Sequence, residues 1–309
     1  MIALTWLAHL AALTLVAPVV SGLVVRTKSW WAGRRGPPIL QPAWDVLRLL
    51  RKTPVYSATT TPVFRAAPWV ALGATAAASL VVPMFGAPAL TFPGDFLLYL
   101  YAGAIGRVAL MLGALDTGSP FEGMGASREA TYSTLLEPAM FLVIGAAALA
   151  AGATTLADVV HLRAATPAGW MLWSLTAAVL ALSTLVESAR MPVDDPTTHL
   201  ELTMIHEVMI LDHSGPELAA LQAGASIKLM TGLWLLGALL VPGVSALPPA
   251  ALWAAKLAMC LALAVALGTL ESLTARLRLT AIPSLLLVGA TLATAALFAG
   301  TAVVVGGAP

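Results

Sequence analysis

The sequence predicts an all-α, polytopic integral membrane protein of about eight transmembrane helices, and three observations predict it. Of 309 residues, 59% are hydrophobic and only 10% are charged, whereas a soluble domain carries roughly 25% charged residues. So few charges cannot cover a water-facing surface, and most of the exterior must meet lipid or other protein. Eight apolar stretches reach the ~20 residues with which a helix crosses ~30 Å of hydrocarbon. No barrel-like alternation is present, and backbone polar groups in lipid must be satisfied within a helix.

The spans fall at 4–25, 64–86, 95–115, 133–153, 169–187, 222–242, 248–270 and 281–305, so residues 1–309 form one transmembrane domain. The first lacks the basic leader of a signal peptide and is read as a retained span. Proline and glycine punctuate the joins, in VPMFGAP, ATPAG, VPG and LPP. Lys and Arg gather in cytoplasmic loops. The first loop holds Arg26, Lys28, Arg34, Arg35, Arg48, Arg51 and Lys52, and Arg128, Arg190, Arg276 and Arg278 follow the third, fifth and seventh spans. The opposite side offers only Arg163. This asymmetry places both termini outside and the odd-numbered loops in the cytoplasm. Apart from Asp95 and Asp158, every Asp and Glu lies in or beside those same loops. Cys260 is the single cysteine, which excludes disulfides, CxxC zinc sites and iron–sulfur clusters from this chain, because each needs several thiolates. Redox chemistry must therefore belong to a partner.

Two loops carry most of the chemistry. Residues 26–63 form a basic cytoplasmic loop in which RRGPP precedes a short amphipathic helix, QPAWDVLRLLRK, with Trp44, Leu47 and Leu50 on one side. Such a helix suits the membrane interface or a docking surface for a peripheral subunit. Residues 187–221 form a charged cytoplasmic loop that includes Glu187, Arg190, Asp194, Asp195, Glu201, Glu207, Asp212 and Glu217. Pro192 and Pro196 interrupt any helix there. From Leu200 to Leu211 the pattern is helical, with Leu200, Met204, Val208 and Leu211 on an apolar stripe that also carries Glu207. A carboxylate on such a stripe holds its proton longer than one in water; pairing with a neighbouring Arg is the alternative. His199, His206 and His213 recur every seven residues, about 10.5 Å apart on a helix, too far for one metal ion to touch two. GMGASRE at 123–129 is at most a weak anion-binding hint, because no Lys-Ser follows.

Ionisable residues also lie within the spans: Arg107, Glu137, Lys228, Lys256 and Glu271. Each costs about 2.5–3.5 kcal/mol in hydrocarbon on insertion scales, which favours interior, paired or functional positions. Lys228 and Glu271 lie near span ends and could instead snorkel to the interface. Cys260 and the methionines are read as packing.

With these loops in view, the chain resembles the family of the complex I membrane protein that is called subunit 1 in mitochondria, together with its bacterial counterparts. The run ESARMPVDDPTTHLELTMIHE carries the resemblance, which extends from the first loop to about residue 282. PVDDPT stands where the complex I branch has PFD followed by Leu-Pro-Glu. With ESLTARLRL at 271–279, this tilts the likeness to the group 4 nickel–iron hydrogenase branch, that of formate hydrogenlyase subunit 4, and away from a quinone site. The resemblance implies a non-catalytic subunit of the bacterial or archaeal cytoplasmic membrane that anchors a redox arm and couples it to proton or sodium movement. Its partners would be hydrogenase-like large and small subunits, antiporter-like membrane subunits and lipid, with no nucleic acid. Nickel–iron and iron–sulfur centres would sit in those partners, with none bound by this chain. Glu187, Arg190, Asp194 and Glu201 match the family's charged loop, and Glu137, in STLLEP, its intramembrane Glu. The expected coupling set is Glu137, Glu187, Asp194, Asp195, Glu201, Glu207, Arg107, Lys256 and Arg190, with Arg34, Arg35, Asp45 and Asp212 at the docking face. A complex I quinone-site subunit, a solute transporter and a passive membrane anchor are the rival readings.

Overall fold

A computed structural model describes residues 2–160, 162, 166–194, 204–241 and 248–306. Among them, eight helices are long and apolar enough to cross a membrane. The first span joins α1 (Ile2–Ala11), a π-helical stretch (Ala12–Val16) and α2 (Ala17–Trp31); a short α3 (Gln41–Leu50) lies in the first loop. Then follow α4 (Pro62–Leu80), α5 (Asp95–Asp116), α6 (Pro120–Ala151), a single turn α7 (Leu156–Val159), α8 (Pro167–Glu187), α9 (Gly215–Leu240), α10 (Pro249–Leu273) and α11 (Ile282–Gly306).

Local sequence explains the helix ends. Proline opens α4, α6 and α8, where its missing N–H has no partner to lose. Thr61 and Thr166 cap α4 and α8 by accepting from the N–H of Val63 at 3.2 Å and of Gly169 at 3.1 Å. Gly152, at φ +59°, ends α6 in the left-handed conformation.

Helix α9 is the axis of the bundle: 72% of its apolar window is buried, against 22% for α5 and for α10. Trp234, Met230, Leu229, Leu235 and Leu239 of α9 are fully buried. In lipid, helices associate through van der Waals contact more than through hydrophobic drive, so small residues at crossings set the approach. A Cβ at Gly232 would stand 2.8 Å from Thr184, and one at Gly268 2.8 Å from Thr27. These positions fix α8 on α9 and α10 on α2.

Three boundaries differ from the sequence reading. The second span ends at Leu80, and residues 81–86 leave the helix. Their carbonyls are held by donors from three helices: His9 Nε2 lies 3.2 Å from Val82 O, Lys256 Nζ 3.4 Å from Pro83 O, and Trp234 Nε1 2.8 Å from Met84 O. These bonds satisfy a backbone stretch that would otherwise stand unpaired in lipid. The fourth span begins at Pro120, so GMGASRE is helical, not an anion-binding loop. The helix expected up to Leu211 is a loop over Met204–His206 and one 3-10 turn, Glu207–Ile210. Val208 and Met209 are buried nonetheless, because Gly125 lets this segment against α6, where a Cβ would meet Val208 at 2.4 Å. Tertiary burial satisfies Met204 and Val208 without a helix, whereas Leu211 stays half exposed.

Candidate functional site

Four spans bring their ionisable residues together near one end of the bundle. Arg107, from the middle of α5, is buried. Its Nε donates to Glu137 Oε1 of α6 at 3.2 Å, and its Nη1 pairs with Glu187, the last residue of α8. Lys228 of α9 closes the chain of charges, 2.9 Å from Glu187 Oε2. Carboxylate and cation thus alternate as Glu137, Arg107, Glu187, Lys228. Pairing of this kind offsets the cost of placing each charge in low dielectric.

Two cavities meet at this chain. The deeper, about 60 Å³, is lined by Tyr99, Arg107, Glu137, Thr184, Lys228 and Thr231 among others. The second, about 210 Å³, is lined by Glu187, Arg190, His206, Glu207, Gln222 and Lys228, with an apolar wall that includes Leu72, Leu110 and Leu221. Both share Thr75, Gly103, Glu187, Ser188 and Lys228, so the ion pair Glu187–Lys228 stands between them. Each has room for several waters and the polar groups to hold them.

A second network lies alongside. Glu271 of α10, buried, takes Lys28 of α2 at 2.9 Å and Arg190 Nη1 at 3.7 Å. Asp194 faces Arg276 at 3.5 Å and accepts from the His206 N–H at 2.9 Å. Outside the spans, burial holds Arg190 below its usual range and pushes the carboxyl of Glu207 up, with Asp194 adding to the latter. Burial, then Lys228, lowers the His206 imidazole to about 4; burial alone lowers His213 to about 4. His213 is stacked on Phe64 with ring centroids 3.9 Å apart. Tyr56 donates to Glu217, and that bond raises its phenol.

The structure therefore joins Arg107, Glu137 and Glu187, and places Glu207 on the wall of the larger cavity. Arg190 lines that cavity too but pairs with Glu271, and Asp194 belongs to the second network. Lys256 does not join them. It sits less than two turns from the far end of α10, buried against Pro83 O, with no carboxylate partner among the described residues. Asp195 and Glu201, like His199 and Leu200, lie outside the described residues. Arg34, Arg35 and Asp212 are exposed, and the Asp212 N–H donates to Glu122. Asp45 accepts from Gln41 and pairs with Arg48 at 2.7 Å, so its charge is spent within α3.

Sequence reading underweighted Lys228 and Glu271, which pair inside the bundle instead of snorkelling. It passed over Glu129, which feels the charges of Lys228 and Arg107. The signal was present: with α6 starting at Pro120, Glu129, Ser133 and Glu137 recur every four residues along one helix side.

Residues 4–302 match the NADH dehydrogenase family. The chain is 33% identical to formate hydrogenlyase subunit 4 of Escherichia coli over 234 residues, covering 74% of each chain. It is 31% identical to hydrogenase-4 component C of the same organism, covering 76% of this chain and 74% of that one. Identity to one of the subunits of the NADH-quinone oxidoreductase of Rubrobacter xylanophilus is 29%, over 72% of this chain and 68% of the relative. Among solved structures, a chain of the membrane-bound sulfane sulfur reductase, an archaeal respiratory membrane complex, superposes with a TM-score of 0.82 at 20% identity. That superposition covers 97% of this chain and 99% of the other, so the fold is shared along its whole length.

Proposed function

The chain belongs to the NADH dehydrogenase family, and on that premise we propose that it is the membrane-anchor and ion-coupling subunit of a respiratory-type oxidoreductase of the formate hydrogenlyase or group 4 hydrogenase kind. The observation that carries this reading is the alternating chain Glu137–Arg107–Glu187–Lys228, set between two cavities at the charged end of the bundle.

On this reading the charged end faces the cytoplasm of a bacterial or archaeal cell, both termini lie outside, and residues 187–221 dock a redox arm. Arg34, Arg35 and Asp212 contribute exposed charge to that face; Asp45, already paired, orders α3. Hydrogenase-like large and small subunits bring the nickel–iron and iron–sulfur centres, and antiporter-like neighbours complete the ion path. This chain supplies only protonatable groups. A redox change in the arm alters the field at Glu207, His206 and Glu187. Unit charges 6–8 Å apart interact by about 2–3 kcal/mol at an effective dielectric of 20, enough to redistribute protons along the chain. Lys256, at the far end, would act on a separate part of the path.

The test is Glu137→Gln in the assembled, reconstituted complex. Electron transfer should continue while coupled ion translocation falls severalfold or more. A variant that assembles and pumps fully would remove Glu137 from the path. The apolar wall of the larger cavity also supports a second reading, in which a quinone head enters beside His206 and Glu207. Quinone-dependent turnover blocked by a quinone analogue would favour it.

A further inference from the structure

The first loop does not extend beyond the end of α2; it folds back along that helix. After Trp31 the chain reverses through Gly33, at φ +64°. Gly36 then lies against Ser29, where a Cβ would stand 2.5 Å from its side chain. Arg26 Nη1 donates to Gly36 O at 2.7 Å and Pro37 O at 3.3 Å. The carbonyl of Ile39 reaches Gly22, where a Cβ would be only 1.8 Å from that oxygen. Gly22 precedes Trp31 by nine residues, about 13 Å along a helix. Helix α3 therefore starts about 13 Å back from the end of the span. Being about 15 Å long, it ends no further out than roughly the level of Trp30 and Trp31.

Its two sides differ. Leu49 turns inward and is buried. The other side exposes Leu40 at 48%, Trp44 at 60%, Leu47 at 49% and Leu50 at 49%. Beside them Arg51 and Lys52 are exposed and make no ion pair among the described residues. Trp30, at 72% exposure, stands in the last turn of α2, and indole rings favour the membrane–water interface.

We propose that this outer side of α3 binds anionic phospholipid of the leaflet at the charged end. Leu40, Trp44, Leu47 and Leu50 lie among acyl chains, and Arg51 and Lys52 reach the phosphate-level negative charge. Depth decides for lipid over a docked subunit. A peripheral partner approaches from beyond the helix ends, whereas this face looks sideways from beneath them. The basic end of α3 gives the surface its preference, since cations at this level are drawn to anionic headgroups.

The experiment uses the purified, assembled complex in nanodiscs of phosphatidylcholine with a minor fraction of phosphatidylglycerol. A benzophenone amino acid replacing Leu47 should crosslink to phospholipid. Native mass spectrometry should show phosphatidylglycerol retained above its share of the bilayer. Arg51→Gln and Lys52→Gln should each lower that retention up to about fivefold without moving the melting temperature, because both side chains are exposed. Crosslinking of position 47 to another polypeptide would overturn the proposal in favour of a protein partner. Retention unchanged in the Arg51→Gln/Lys52→Gln chain would overturn it outright.

Discussion

Replacing Arg107 by Met removes one cation from between two carboxylates while keeping most of the side chain's length and packing. The Arg107 side chain is 6% exposed, Glu187's 20% and Glu137's 34%. Each contact, at about 4 Å between charge centres, is worth on the order of 4 kcal/mol at an effective dielectric of 20, and desolvation of the ions offsets much of it. Breaking one partner out of a buried pair typically costs about 3–5 kcal/mol, because a charge is left uncompensated. Here both acids border cavities and Lys228 still neutralises Glu187, so the low end, about 3 kcal/mol, is expected. For a chain of this size that is roughly 4–5 °C in melting temperature, readable by tryptophan fluorescence in nanodiscs. The double variant Arg107→Met/Glu137→Gln should recover at least half of the loss, since it removes the stranded charge as well. The reasoning fails if Arg107→Met melts within about 2 °C of the parent. It fails also if the double variant shows only the sum of the two single losses.

Lys256→Met should act in the opposite sense on stability. A buried cation whose only described partner is the Pro83 carbonyl costs more than a thioether in the same place, so the melting temperature should rise by a few degrees. If Lys256 lies on the ion path, coupled translocation in the assembled complex should fall at the same time. A lower melting temperature would show that the bond to the 81–86 segment outweighs the buried charge. Acid should destabilise the chain between pH 6.5 and about 4. His206 and His213 stay neutral in the fold down to about 4, against an ordinary value of 6.5. The unfolded chain thus binds more protons in that window, and stability falls as pH drops through it. Glu207, pushed up, works the other way. His206→Gln/His213→Gln should flatten the acid limb of melting temperature against pH; a limb that stays as steep would refute the assignment.

Much of the architecture was legible because lipid imposes a length and a composition on each crossing. The start of α6 escaped notice for the same reason: Glu122, Arg128 and Glu129 break an apolar run. A helix start facing the 204–212 segment, where Arg128 donates to Met204 O and Glu122 accepts from the Asp212 N–H, tolerates such residues, as a lipid-facing one does not. Arg107, Glu137 and Glu187 were each legible as ionisable groups at membrane depth. Which would meet was not legible, for the partners are 30 and 80 residues apart and come from different helices. Lys228 posed a choice between snorkelling and pairing that only the position of Glu187 settles. Lys256 was grouped with the others by kind, and distance separates it. Met204 and Val208, buried while Leu211 of the same stripe is half exposed, illustrate a further limit. Burial can be satisfied by any backbone that fits, and the close approach allowed by Gly125 made a loop with a 3-10 turn sufficient.

The pinned stretch at residues 81–86 gives the molecule a direction. Met84 and Trp234 are fully buried, Phe85 stacks edge-on to Trp234 at 5.1 Å, and His9, Lys256 and Trp234 lock the backbone beside them. The two cavities beside Glu187 and Lys228 lie toward one extremity of the bundle, and packed side chains fill it around residues 81–84 toward the other. On the proposed function, a proton taken up beside Glu187 moves on sideways, toward a neighbouring subunit, because the 81–86 segment fills the bundle beside α1, α9 and α10.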